Sequence, residues 1–294
     1  MSALSGGTKT AEKRPSRLRR LWGGFSIILE SRVGTIGLCI IVFWVLVAIF
    51  APLLAPRDPL SQDSDAINKG SSEQYLLGTD QLGRDILSRL IFGTRTILVL
   101  APLSVLASVT VGTILGLTAG YFGGLVDEVV MRLLDAIMAF PTILLYLIII
   151  AAIGPSAVNV VIAITFVGTP GIARLVRSLT LDIRTRDYIR AAQTRGEHPL
   201  YIMFVEILPN VRGPLIIDAL LRVGYAIFAI GTLGFLGLGL PPPTPDWGGM
   251  VAEARKFIWT APLNVLWPIL AITSLVVGLN LFADGLREET TRYQ

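Results

Sequence analysis

Six runs of apolar residues, at about 33–54, 96–120, 129–153, 157–175, 214–240 and 263–282, limit what this chain can fold into. Each is long enough to cross about 30 Å of hydrocarbon as a helix. Inside hydrocarbon no water bonds to the backbone, so a lone apolar segment must satisfy its own N–H and C=O groups by coiling. Composition agrees: 53% of residues are hydrophobic, 16% are charged and the mean hydropathy is +0.68. A soluble domain carries about 25% charged residues. The first run is longer than the 7–15-residue core of a cleaved leader, which marks it as a retained span. The fold expected is an all-α integral membrane protein with six transmembrane helices.

Charge sets the orientation. Residues 1–32 form a basic tail, with Lys9, Lys13, Arg14, Arg17, Arg19, Arg20 and Arg32 against Glu12 and Glu30. Such flanks stay cytoplasmic. The segment 176–213 with its flanks holds Arg174, Arg177, Arg184, Arg186, Arg190, Arg195 and Arg212, whereas 57–95 offsets its five cations with six acids. Both termini are therefore expected inside. The divisions are a tail (1–32), a first span (33–56), an outer loop with an amphipathic helix (57–95), a core of five spans (96–287) and a C-terminal tail (288–294). From Asp85 onward, Ile86, Leu87, Leu90 and Ile91 follow helical spacing among polar residues. This pattern suits a helix lying in the membrane interface.

Several spans carry helix-interrupting residues: Pro102, Gly112, Gly116, Pro141, Gly168, Pro170 and Gly171. Small residues let helix backbones approach closely. Asp218 and Arg222 lie four apart in the fifth span, on one helix face, and can neutralise each other. Charges at membrane depth face the bundle interior or an aqueous path. Arg132 and Asp135 are a second such pair near the start of the third span.

The stretch 187–210 is less hydrophobic and reads as an elbow. A helix-favouring run ends at Gly196, which tolerates the left-handed conformation of a C-terminal cap. Pro199 pushes His198 out of the helical region and suits the first position of a new helix. That second helix is expected to end near Leu208, with Pro209 limiting it.

These residues resemble a known family. Tyr188-Ile189-Arg190-Ala191-Ala192, Gly196 and Leu208-Pro209 are similar to the "EAA" loop of bacterial ABC importer permeases. Arg190 stands at the nominal glutamate and Glu206 at a usually aliphatic position. Gly78-Thr79-Asp80-Gln81-Leu82-Gly83-Arg84-Asp85 resembles the extracytoplasmic segment of the C-type member of dipeptide/oligopeptide/nickel permease pairs. Three further blocks agree: 127–141, the run Phe235-Leu236-Gly237-Leu238-Gly239 with 242–248, and 280–287. The resemblance covers about residues 76–287. It implies a type I importer permease fold whose cytoplasmic coupling helix docks on an ATP-binding subunit through Arg190, Ala191, Ala192, Gly196, His198, Pro199, Leu200, Leu208 and Pro209. It implies as partners a paralogous permease, two ATP-binding subunits and an extracytoplasmic solute-binding protein. Gly78, Thr79, Asp80, Gly83, Arg84 and Asp85 are then an outer contact for that binding protein.

The chain lacks the residues for carrying out its own chemistry. A phosphate-binding loop needs Gly-Lys-Ser/Thr, and none of Lys9, Lys13, Lys69 and Lys256 follows a glycine. ATP and magnesium are thus expected on the partners, with no cofactor here. One histidine and one cysteine, His198 and Cys39, leave little for metal or acid–base catalysis. The small net charge, +4, gives no argument for nucleic acid. The expected role is a non-enzymatic permease subunit in the bacterial cytoplasmic membrane, importing dipeptides or oligopeptides. Nickel chelates or another small solute fit the same architecture. An ion-coupled secondary transporter is the rival from another class and needs a mid-span acid, for which Asp218 is the main candidate. Cysteines placed at Ser71 and Asp182, with Cys39 replaced, are expected to react with an impermeant thiol reagent from opposite sides. Labelling of both from outside intact cells contradicts six spans with a cytoplasmic N-terminus.

Overall fold

The computed structural model describes residues 31–292, so most of the basic tail and the last two residues lie outside it. The described chain is helical. Helix α1 (Arg32–Ile49) starts with Ser31, whose hydroxyl accepts from the Gly34 N–H at 3.2 Å. A short turn, Ala51–Leu54, follows it. Helix α2 (Ile86–Phe122) has 37 residues. After it come α3 (Gly124–Met138), α4 (Thr142–Ile153), α5 (Ala157–Arg184) and the short α6 (Asp187–Thr194). The last three are α7 (Pro199–Phe235), α8 (Trp247–Ala254) and α9 (Pro262–Arg292).

Three expectations are corrected. The amphipathic run after Asp85 is not a separate interfacial helix but the first turns of α2. Asp85 starts that helix, accepting from the Ser88 N–H at 2.8 Å, and nothing breaks it before Phe122. At about 55 Å, α2 is longer than the hydrocarbon is thick and projects beyond it. Second, the third span is not one helix. A proline disfavours helical geometry in its predecessor, Pro141 itself is extended with ψ 126°, and α3 and α4 meet at 89°. Third, Pro209 does not end the elbow's second helix, which runs on as α7 (see below).

The bent pair α3–α4 still crosses. Asp127 on α3 is paired with Arg177 on α5. At the other end the Asn159 amide donates to the Ile153 and Gly154 carbonyls, both at 2.9 Å. Asn159 and Arg177 are separated by about 27 Å along α5, so the pair climbs the height of a span rather than returning to its starting side. Asp135 meets Arg174 of α5 instead of Arg132, which pairs with Glu128 one turn back.

Close helix contact depends on glycine. On α2, Gly112, Gly116 and Gly120 form a strip against α5. A Cβ at Gly116 would sit 2.5 Å from the Ala173 carbonyl oxygen, and one at Gly120 would sit 2.7 Å from the Thr180 Cβ. On α1, a Cβ at Gly37 would lie 2.4 Å from the Phe282 backbone nitrogen of α9. The core divides into two clusters. One gathers Trp44, Ile97, Ile164, Ile227 and Trp247 among others. The other, around Leu117, Ile172 and Val176, extends to the residues of the elbow. Gly116→Leu is expected to push α2 from α5 and to destabilise by about 1–3 kcal/mol, the usual cost of overpacking. A thermal melt in detergent measures it, and an unchanged midpoint contradicts the strip.

Candidate functional site

At one end of the bundle, α6 and the start of α7 make the elbow. Helix α6 closes with paired bonds, Gly196 N–H to the Gln193 carbonyl at 3.0 Å and Glu197 N–H to the Ala192 carbonyl at 3.2 Å. Gly196 has φ +75°, the left-handed geometry this cap requires. His198 turns the chain into α7, its Nδ1 accepting from the Leu200 N–H at 3.3 Å. From Ile202 to Ile207 the helix is π-wound. The Leu208 N–H reaches back five residues to the Met203 carbonyl. Pro209 then falls at the start of the following α-wound part, where its missing N–H is tolerated. The helix runs on through this proline, as it does through Pro214.

The elbow has two faces. Ile189, Ala192, Ile202, Met203 and Ile207 are buried against Leu117, Ile172, Val176 and Ile183. Arg190, Ala191, Gly196, His198, Leu200 and Pro209 are exposed, while Pro199 and Leu208 are half-buried. The Ala191-Ala192 pair is thus split, with Ala192 facing the core and Ala191 facing outward. Tyr188, Leu200, Tyr201, Phe204 and Val205 add exposed apolar bulk to the outer face, Leu200 being 54% accessible. Exposed apolar patches of this kind mark binding surfaces.

At the other end, Gly78–Asp85 forms a compact turn closed by an antiparallel bridge between Thr79 and Asp85. The turn is tight at Gly83, φ +72°, where a Cβ would sit 1.8 Å from the Asp63 carbonyl oxygen. Its polar side chains point inward. Asp80 accepts from the Leu82 N–H at 2.8 Å and the Arg84 Nε at 2.6 Å, and pairs with Arg89. Glu253, from α8, accepts from Arg84 at 2.7 Å and Arg89 at 2.9 Å. Both arginine side chains are 3% exposed. Asn264 of α9 donates to the Thr79 carbonyl at 2.9 Å. The side chains expected to make an outer contact are thus turned inward in this chain. Thr79, Arg84 and Asp85 are buried, and the segment ties α2, α8 and α9 together; Leu82 remains exposed at its tip.

At mid-height, the Arg222 Nε donates to Asp218, one turn below on α7. Arg222 lines a cavity of about 370 Å³ between α2, α4, α5 and α7.

Comparison with known proteins assigns this arrangement. Residues 112–288 match the family described as the inner membrane component of binding-protein-dependent transport systems. Residues 22–71 match the N-terminal transmembrane domain of oligopeptide transport permease C. The chain belongs to this permease family. It is similar to a dipeptide transport system permease protein of Haemophilus influenzae, 41% identical over 95% of each chain. A di/tripeptide transport system permease of Pseudomonas aeruginosa is 42% identical, over 93% of this chain and 91% of that one. A glutathione transport system permease of Pectobacterium atrosepticum is 39% identical, over 92% and 89%. The fold resembles a chain of the inward-facing MetNI methionine ABC transporter, with TM-score 0.56, 18% identity and coverage of 70% of this chain and 97% of that one. The protein is thus a multi-pass membrane component of an ABC importer.

Residue-by-residue sequence reading missed the importance of three permease residues. Glu253 closes the charge cluster around Asp80 from 164 residues beyond Arg89 in the chain. Trp247 is fully buried, with its indole N–H on the Leu90 carbonyl at 2.9 Å and its ring edge-on to Trp44. Asp246 starts α8, accepting from the Gly249 N–H at 2.8 Å. Its position just before a helical run was the available signal. Burial pushes the Asp246 carboxyl up to about 6 from 3.8, against the pull of the Gly249 and Gly248 N–H groups and Arg89; Glu253 adds to the rise. A carboxyl raised on folding favours the native state most while protonated, so its contribution is lost as pH climbs from about 4 through about 6. Asp246→Asn should therefore gain stability relative to wild type across that window and hold the gain above it. Unfolding in detergent followed by tryptophan fluorescence tests this, and a difference that does not change with pH refutes it.

Proposed function

We propose that this permease is one of two unlike membrane subunits that form the path of a peptide importer in the bacterial cytoplasmic membrane, with both its termini in the cytoplasm. The observation that carries the reading is the two-faced elbow, whose inner side is rooted in the bundle while its outer side stands free. In this reading Arg190, Ala191, His198, Leu200, Tyr201 and Phe204 dock into one of two ATP-binding subunits. Hydrolysis of magnesium-bound ATP takes place there, and this chain carries no catalytic group or cofactor. Closure of the motor pushes on α6, and α7, continuous with the elbow, carries the movement into the membrane. A solute-binding protein delivers its cargo at the outer end. A short peptide as cargo is supported by relatives named for dipeptide, di/tripeptide and glutathione transport.

The elbow supplies the test. A Cβ at Gly196 would meet no neighbour within 4 Å, so the strain of a substitution there is first of all in the backbone. Forcing φ +75° on a residue with a Cβ costs about 1–2 kcal/mol, enough to shift the cap without unfolding the spans. Gly196→Val and Ala191→Glu are expected to insert normally, yet to release the ATP-binding subunit or to uncouple hydrolysis from uptake. Co-purification and transport in reconstituted vesicles measure both effects. Full association with wild-type coupling in both variants removes the elbow from the drive train.

A further inference from the structure

We propose that Asp218 and Arg222 form a site that reads the two charged ends of a peptide in passage, the guanidinium taking the terminal carboxylate and the carboxylate the terminal ammonium. This rests on the peptide-import reading above and names the residues that would handle the cargo.

Depth is the first argument. The Arg222 guanidinium packs on Gly171, where a Cβ would be 2.8 Å from Nη2. Gly171 stands within α5, three residues before Arg174, so the charges lie inside the bundle on the elbow side of its middle. The second argument is exposure. The side chains of Arg222 and Asp218 remain 25% and 28% accessible in this chain. Ionised groups at that depth face a bundle interior or an aqueous path and not lipid. Their open side therefore looks toward such an interior or path.

Unused hydrogen-bonding capacity is the third. Arg222 gives its Nε to Asp218, while Nη2 reaches the other carboxylate oxygen only at 3.5 Å. Nη1 has no acceptor among the described residues. A guanidinium presents its donors as a planar fork that matches a carboxylate. The fourth is the cavity, which Arg222 lines and which Asp218 adjoins only through its pairing with Arg222. Its 370 Å³ lies within the ordinary range for small-molecule sites, about 300–1,000 Å³. Ser108, Thr142, Tyr146, Tyr225 and Thr232 give it a few hydroxyls on otherwise apolar walls. Such walls accept side chains of many kinds, while the charge pair recognises what all free peptides share. Because Asp218 and Arg222 rejoin each other once the peptide leaves, neither is stranded as a lone charge, and the hold stays weak enough for release.

The test uses the whole importer, permease pair, ATP-binding subunits and binding protein, in vesicles with a labelled dipeptide. Arg222→Gln is expected to lower uptake by about tenfold or more, the scale of one lost charge-assisted contact. The double variant Arg222→Gln with Asp218→Asn should remain as low, with the paired permease still in the complex and ATP hydrolysis still stimulated by the binding protein. Arg222→Lys, which keeps the charge without the fork, should retain part of the uptake. Return of the double variant to wild-type uptake overturns the proposal, because the residues then only neutralise each other. So does loss of the paired permease from the double variant, which makes the pair a subunit contact. If the wild-type importer takes up no dipeptide, the peptide reading itself has failed, independently of this site.

Discussion

A buried backbone with no water around it must find its hydrogen-bond partners within the protein, and most of this structure follows from that condition. It imposes helices on the apolar runs. It also leaves side chains as the means of holding the helices together, since lipid gives two apolar helices little reason to associate. The permease meets this need with surface shape, using the glycine strip of α2 against α5 and the glycine contact between α1 and α9. The charged ties stand mostly at the ends. Asp127–Arg177 and Asp135–Arg174 join α3 to α5, and Asp80, Arg84, Arg89 and Glu253 lock the other end.

The cluster of Asp80, Arg84, Arg89 and Glu253 illustrates why a buried ion group is a poor measure of net stability and a good measure of commitment. Removing water from two arginines and two acids is costly, and their mutual attraction offsets it only when the geometry is complete. Losing one member strands the others, a change worth about 3–5 kcal/mol in buried pairs. The segment 78–85 is therefore held in one arrangement. The elbow is built differently, with its apolar roots buried and its charged and aromatic groups outward. One end of the molecule has spent its polar groups internally, and the other keeps them available.

How much of this could be read in advance depends on whether the signal was local. Hydrophobic run length placed the spans, and Gly196 with Pro199 placed the elbow, because each signal lies within a few residues of its effect. Where two local signals met, the reading went astray. Pro141 and Pro209 are both prolines in apolar helical stretches, yet one precedes a right-angle bend and the other rides through. A π winding at Ile202–Ile207 precedes Pro209, and Pro102, Pro170 and Pro214 also lie within continuous helices, so a proline alone does not tell a bend from a passage. The amphipathic turns after Asp85 looked interfacial only because their partners, Glu253 and Trp247, are remote in sequence. The inward aim of Asp80 and Arg84, against the outward reading of their motif, has the same cause.

The π winding has a geometric result of its own. Successive residues of an α-helix are set about 100° apart around its axis, and a wider i→i+5 ring admits an extra residue into a turn. The rows of side chains below Ile202 are therefore out of phase with those above Leu208, although the rod is continuous. A single helix can thus aim its lower rows at the elbow and its upper rows at the bundle under separate angular settings. The stripe patterns of the two ends need not be commensurate, and each can vary without imposing a twist on the other.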